Sequence, residues 1–93
     1  MDNLTEDLTW KELHIGDTVN TTATVVELTK LTERVVGDCF ATWIAVCVRS
    51  DNDFHPYAVW QVVARPEGFS AGSGNYARTL QEATKYYHNR GGR

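Results

Sequence analysis

Phe40-Ala41-Thr42-Trp43-Ile44-Ala45-Val46-Cys47-Val48-Arg49 is the stretch on which the fold turns. One parity carries Ala41, Trp43, Ala45 and Cys47, and the other carries Phe40, Thr42, Ile44, Val46 and Val48. A strand with one wet face alternates apolar and polar residues; this one does not, so it predicts a central strand covered on both sides. Ser50 to Asp53 is a turn cluster. Residues 57–65 then form a second apolar run, with Pro56 at its start and Pro66 at its end, and the pair predicts an antiparallel hairpin.

Downstream, the Gly-rich stretch from Gly68 to Gly74 with Asn75 reads as a loop, or as a loop enclosing a short edge strand near residues 75–77. Thr79-Leu80-Gln81-Glu82 has the capping-box spacing, in which hydroxyl and carboxylate satisfy orphan amides of a first helical turn. Leu80, Ala83, Thr84 and Tyr87 then share a helical face. Lys85, His88 and Arg90 suit the negative end of the dipole, and Gly91 and Gly92 stop the chain, so a helix is predicted over 80–89.

Upstream, residues 24–36 support two readings. At 100° per residue, Glu27, Lys30, Glu33 and Arg34 fall within one sector of about 120°. Val25, Leu28, Thr32, Val35 and Val36 lie opposite, Thr24 and Glu27 repeat the capping-box spacing, and Gly37 sits where a C-terminal cap belongs. The competing strand reading rests on the β-branched Val25, Val26, Thr29, Thr32, Val35 and Val36. The helix is the preferred reading. Thr18 to Thr22 predicts a short strand, and Thr9-Trp10-Lys11-Glu12 a single capped turn.

The expected fold class is therefore α+β, a small antiparallel sheet with central strands at about 39–49 and 57–65, packed against a C-terminal helix at 80–89 and a helix at 25–36. Its 93 residues make a single domain, 1–93. A central strand apolar on both parities needs two covers, and both helices can lie on one face. The other face, bearing Trp43 and Trp60, is then closed by a second copy as a homodimer or by residues 1–15 folding back as a lid through Leu4, Leu8, Trp10 and Leu13. Trp43, Trp60 and Tyr57 are the candidate partner-binding residues.

Charge and motifs set the exclusions. The net charge of −3 gives no general attraction to polyphosphate, although residues 1–38 hold eight acids against three bases while residues 39–93 hold four against six. No apolar run approaches the ~18 residues of a membrane span and no secretory leader opens the chain, so a cytoplasmic location is expected. Asp51-Asn52-Asp53 opens like a calcium loop, but Pro56 and Val62 stand where that loop needs Gly and Glu. Gly72-Ser73-Gly74-Asn75-Tyr76-Ala77 matches a dinucleotide fingerprint without its βαβ unit. Cys39 and Cys47, eight residues apart on one strand, lie too far apart for a disulfide. His14, His55 and His88 occupy three separate elements. No catalytic residue, cofactor or metal is expected, and the chain is read as not an enzyme.

His55-Pro56-Tyr57-Ala58-Val59-Trp60, then Gly74-Asn75-Tyr76, Thr79-Leu80 with Glu82-Ala83, and Tyr87 with Arg90-Gly91 resemble a pattern in small accessory proteins of actinobacterial phages, mycobacteriophages especially. The resemblance covers residues 55–91. It implies a non-enzymatic module that binds and redirects a host protein, at times inhibiting host growth. Ile15-Gly16-Asp17-Thr18-Val19 and Val25-Val26-Glu27-Leu28 are similar to a strand of hotdog-fold dehydratases, whose catalytic Asp and His motif is missing here. The alternative function is nucleic-acid binding by a domain of helix-strand-strand-strand-helix form. That class sets bases at the start of its last helix, where this chain has Thr79 to Glu82, so nucleic acid is the less favoured partner.

Overall fold

A computed structural model of the chain describes residues 10–37 and 39–93. Five strands run in order β1 Thr18–Val19, β2 Ala23–Arg34, β3 Phe40–Arg49, β4 Tyr57–Arg65 and β5 Gly68–Ala77, and one helix, α1 Leu80–Asn89, follows. Each strand pairs antiparallel with the next, giving the spatial order β1-β2-β3-β4-β5. β1 also comes against β5, so the sheet curls into a nearly closed barrel. The molecule is mostly antiparallel sheet with one short C-terminal helix, rather than the expected α+β layering of a small sheet under two helices.

β3 is the central strand that its sequence predicts, and residues 41 to 47 are all buried. Its register with β4 sets Ala41 opposite Ala64, Trp43 opposite Val62, Ala45 opposite Trp60 and Cys47 opposite Ala58. These side chains fill the concave side of the curl, joined by Val19, Ala23 and Val25 and by Leu13 from the N-terminal segment. The opposite parity is covered differently: Ile44, Val46, Val59 and Ala77 lie beneath Ala83 and Tyr87 of α1. A strand apolar on both parities is thus served by one chain, with the barrel interior on one side and a helix on the other.

The helix expected over 25–36 is β2 instead, a twelve-residue strand. Two β-bulges explain the misleading pattern. Val26 and Leu31 are the extra residues, because Val25 pairs with Cys47 and Glu27 with Val46, then Lys30 with Trp43 and Thr32 with Thr42. Each bulge resets the alternation, so positions on the concave side fall at 23, 25, 28, 30 and 33, and steps of two and three imitate a helical stripe. The β-branched side chains then prevail, since pairing along all of β3 replaces isolated helical turns with a continuous ladder. The helix-strand-strand-strand-helix order considered for nucleic-acid binding is likewise not the order formed here.

The Gly-rich stretch expected as a loop, or as a loop enclosing a short edge strand near residues 75–77, is strand β5 over its whole length. Its register with β4 shifts beside Trp60, and a Cβ on Gly74 would land on the Trp60 indole. The glycine is there to admit a large ring and not to make a turn. α1 occupies the predicted residues. Thr79 Oγ1 accepts from Glu82 N at 3.1 Å, while Glu82 Oε1 accepts from Arg78 N at 3.1 Å. At the other end Gly91 adopts φ +102°, and Gly92 N donates to Tyr87 O at 2.8 Å. Arg90 Nη1 donates to Val59 O and to Asn75 Oδ1, which ties the last turn to β4 and β5. No helix among the described residues is long and apolar enough to cross a membrane.

The capped turn expected at Thr9 involves a residue outside the described ones, as do Leu4 and Leu8; residues 10–12 are not helical.

Candidate functional site

The curl of the sheet decides which aromatics can meet a partner. Trp43 and Trp60, expected on an open face, are 1% and 6% exposed, so neither is an accessible anchor. Their neighbours Ala41, Ala45, Cys47, Ala58 and Ala64 are small because the two indoles occupy the space inside the barrel. Tyr57 is half-buried and packs against the cluster beneath α1.

The accessible aromatics gather at the end of the barrel where β3 turns into β4. Tyr76 lies beside Ala58 in the β4–β5 register and meets Trp60 edge to face, with ring centroids 6.3 Å apart at 86°. The buried indole fixes the tyrosine ring, yet Tyr76 remains 48% exposed. The Arg49 guanidinium sits 4.6 Å from the Tyr76 ring centroid, a cation–π placement. Residues 50–56, which join β3 to β4 at this end, carry Phe54 at 73% exposed. Leu80, at the start of α1, is half exposed as well.

That connection is held by its own polar groups. Arg49 N donates to Pro56 O at 2.6 Å, and Arg49 Nη1 donates to His55 O at 3.4 Å. His55 N donates to Asn52 Oδ1 at 2.8 Å, an Asx turn, and Ser50 Oγ donates to Thr22 O at 3.1 Å. Phe54 is therefore presented on a braced turn, whose backbone loses less entropy on binding than a free one. The arrangement can bury aromatic rings and direct one guanidinium toward acceptors.

A second cluster closes the concave side. Lys30 Nζ lies 2.7 Å from Glu12 Oε1 and 3.0 Å from Glu33 Oε1, and 5.8 and 5.4 Å from the ring centroids of Trp10 and Trp43. Trp10 Nε1 donates to Glu12 Oε1 at 3.0 Å, and Leu13, one residue on, is 3% exposed. The bond from Lys30, followed by that from Trp10, holds the Glu12 carboxyl below its ordinary value; Glu12, then Glu33, raise Lys30. The cluster pins the N-terminal segment to β2.

The groups with reactive chemistry are not brought together. Burial pushes the Cys47 thiol up to about 12, which keeps it protonated and inert at neutral pH. Cys39 Sγ donates to Val35 O at 3.3 Å. His14 Nδ1 is 3.9 Å from Asp17 Oδ2, and His88 Nδ1 is 3.0 Å from Gly92 O. Among the described residues no group of three His, Cys, Asp or Glu side chains is placed to hold a metal ion.

Sequence reasoning missed Arg49, Phe54 and Tyr76. The available signal was a single aromatic inside the polar cluster Asp51-Asn52-Asp53-Phe54-His55, where nothing in a turn requires one. Comparison with family models, curated proteins and solved structures finds no match to this chain.

Proposed function

We propose that the protein is a non-enzymatic protein-binding module, and that its β3–β4 end, with Phe54, Tyr76 and Arg49, is the recognition surface. The observation that carries this reading is Phe54, 73% exposed on a connection braced by four hydrogen bonds, at the same end of the sheet as a half-exposed Tyr76 that stacks with Arg49. Aromatic and Arg side chains dominate the binding energy of protein interfaces, and bracing lowers the entropic cost of using them. The partner chemistry that fits is a protein surface with an apolar recess for the Phe54 ring and carboxylate or carbonyl acceptors for Arg49. The resemblance of residues 55–91 to small accessory proteins of actinobacterial phages supports a host protein in the bacterial cytoplasm as that partner.

The test is site-specific photo-crosslinking in an actinobacterial host, with a photoreactive phenylalanine analogue at position 54 and, as control, at the exposed position Gln81. A defined adduct from position 54 alone is expected. With the captured protein purified, Phe54→Ala and Tyr76→Ala should each weaken binding by about 10- to 100-fold, the range of interface hot spots. Equal capture from both positions, or undiminished affinity in both variants, would refute the assignment.

A further inference from the structure

We infer that the outer edge of β2 is a self-complementary edge on which a second copy of this chain adds its own β2, antiparallel, about a twofold axis between Lys30 and Leu31. The inference is independent of the β3–β4 end.

Beyond Val25, whose N donates to Asp17 O and whose O accepts from Gly16 N, no described strand pairs with that edge. Exposed large apolar side chains lie on that edge, Val26 and Leu31, and just past its end, Val35 and Val36, the last at 75%. A long edge flanked by exposed apolar residues is a template for strand addition.

The order of residues names the occupant. With the axis between Lys30 and Leu31, Val26 stands opposite Val35 of the second copy, Glu27 opposite Arg34, and Thr29 opposite Thr32, and symmetry repeats each pair. The faces agree as well. Glu27, Thr29, Thr32 and Arg34 pair with Val46, Ile44, Thr42 and Phe40 of β3, so all four belong to the convex side of the sheet. A slip of one residue sets Glu27 against Glu33 or Thr29 against Glu33, from opposite faces. A slip of two sets Lys30 against Glu33 of the copy, which only exchanges the Lys30–Glu33 pair each chain already makes. Among the described residues, by contrast, Glu27 makes no ion pair and Arg34 donates only to Val36 O, so their pairing is new even though Thr29 and Thr32 keep their bonds to Tyr87, Arg93 and Thr42.

Bulges commonly guard an edge, and β2 has two. Here they fall where this pairing tolerates them. The regular run 27–30 of each copy faces residues 31–34 of the other, with the Leu31 bulge at the axis and the Val26 bulge near the end of the ladder. Leu31 of the two copies then supplies apolar contact at the centre, where water exclusion strengthens the flanking Glu27–Arg34 pairs.

Sedimentation equilibrium is the test. The wild-type chain at tens of micromolar should give about twice 10.5 kDa. Arg34→Glu makes both cross-strand pairs repulsive and should weaken association by about 30-fold or more, and the double variant Glu27→Arg/Arg34→Glu should restore it. Leu31→Lys, at an exposed position, should also give a monomer and keeps the test open if Arg34→Glu fails to fold. A monomeric wild type, a dimer indifferent to Arg34→Glu, or a charge swap that does not recover would each overturn the inference.

Discussion

β2 and β3 are neighbours in one ladder, and their side chains meet opposite fates. In β3 seven consecutive residues, 41 to 47, are buried, whereas in β2 only Ala23 and Val25 are. β3 has a strand on each edge, a helix over one face and the barrel interior over the other. β2 has a full-length partner on one edge only, and its bulges turn Val26 and Leu31 to solvent. Both are rich in β-branched residues, but β2 adds Glu27, Lys30, Glu33 and Arg34 where β3 has only Arg49. Charge and position in the sheet together divide the work: β3 carries stability, while β2 is free to present a surface.

The largest expected effect tests that division. Trp43→Ala empties the centre of the barrel and should cost about 3 to 5 kcal/mol in urea unfolding, while Val26→Ala, at an exposed site on β2, should stay below about 1 kcal/mol. Comparable costs at the two sites would show that β3 is not covered twice. A smaller effect probes the link between the two strands' covers. Tyr87 Oη bonds Thr29 Oγ1 at 2.5 Å and Arg93 O at 3.3 Å, so the helix over β3 is also tied to β2. Tyr87→Phe should lose about 1 kcal/mol by thermal or denaturant unfolding, and a neutral result would mean that helix docking rests on the apolar contacts alone.

The smallest effect concerns the N-terminal segment held to β2 through Glu12 and Lys30. Glu12→Gln should cost only a few tenths of a kcal/mol, a loss that fades in high salt, as expected of a solvent-exposed pair. The pH dependence has a definite sign. The Glu12 carboxyl is lowered in the folded chain, so its contribution is fully present above its ordinary value of 4.5 and is lost as pH falls through the lowered value. Lys30 is raised, so its contribution is fully present below 10.5 and is lost as pH rises through the raised value. The Trp10 contribution to fluorescence, read as the difference between the chain and its Trp10→Phe variant, should therefore hold constant between these limits and change outside them. Titration of the signal near neutrality would show that another group positions the segment.

How much of this was legible in the sequence follows the same contrast. β3, β4 and α1 keep an unbroken period, and the run from Phe40 to Arg49, the Pro56 and Pro66 limits and the Thr79 cap locate them closely. β2 was hidden because two inserted residues convert a period of two into a near-helical one. β5 was hidden because Gly72 and Gly74 read as loop residues, while the reason for Gly74 is an indole that approaches from another strand. Trp43 and Trp60 were recognised as large rings among small residues. Whether they faced a partner or an interior depended on the curl that brings β1 against β5, a long-range property that no local pattern encodes. Arg49 and Tyr76 meet through the β3–β4 and β4–β5 pairings, which are likewise long-range.

Amide hydrogen exchange across residues 24–34 and 41–47, followed by NMR in the Leu31→Lys chain so that the proposed pairing of two copies could not mask the edge, tests the central claim most directly. Every amide from Ala41 to Cys47 should exchange near the rate set by global unfolding, because each points to β2 or β4. Along β2, from Glu27 onward, slow amides directed at β3 should alternate with fast amides on the open edge, interrupted at Leu31. Uniform protection from Thr24 to Arg34 with helical sequential contacts would contradict the account, since it would restore a helix where the structure has an edge strand.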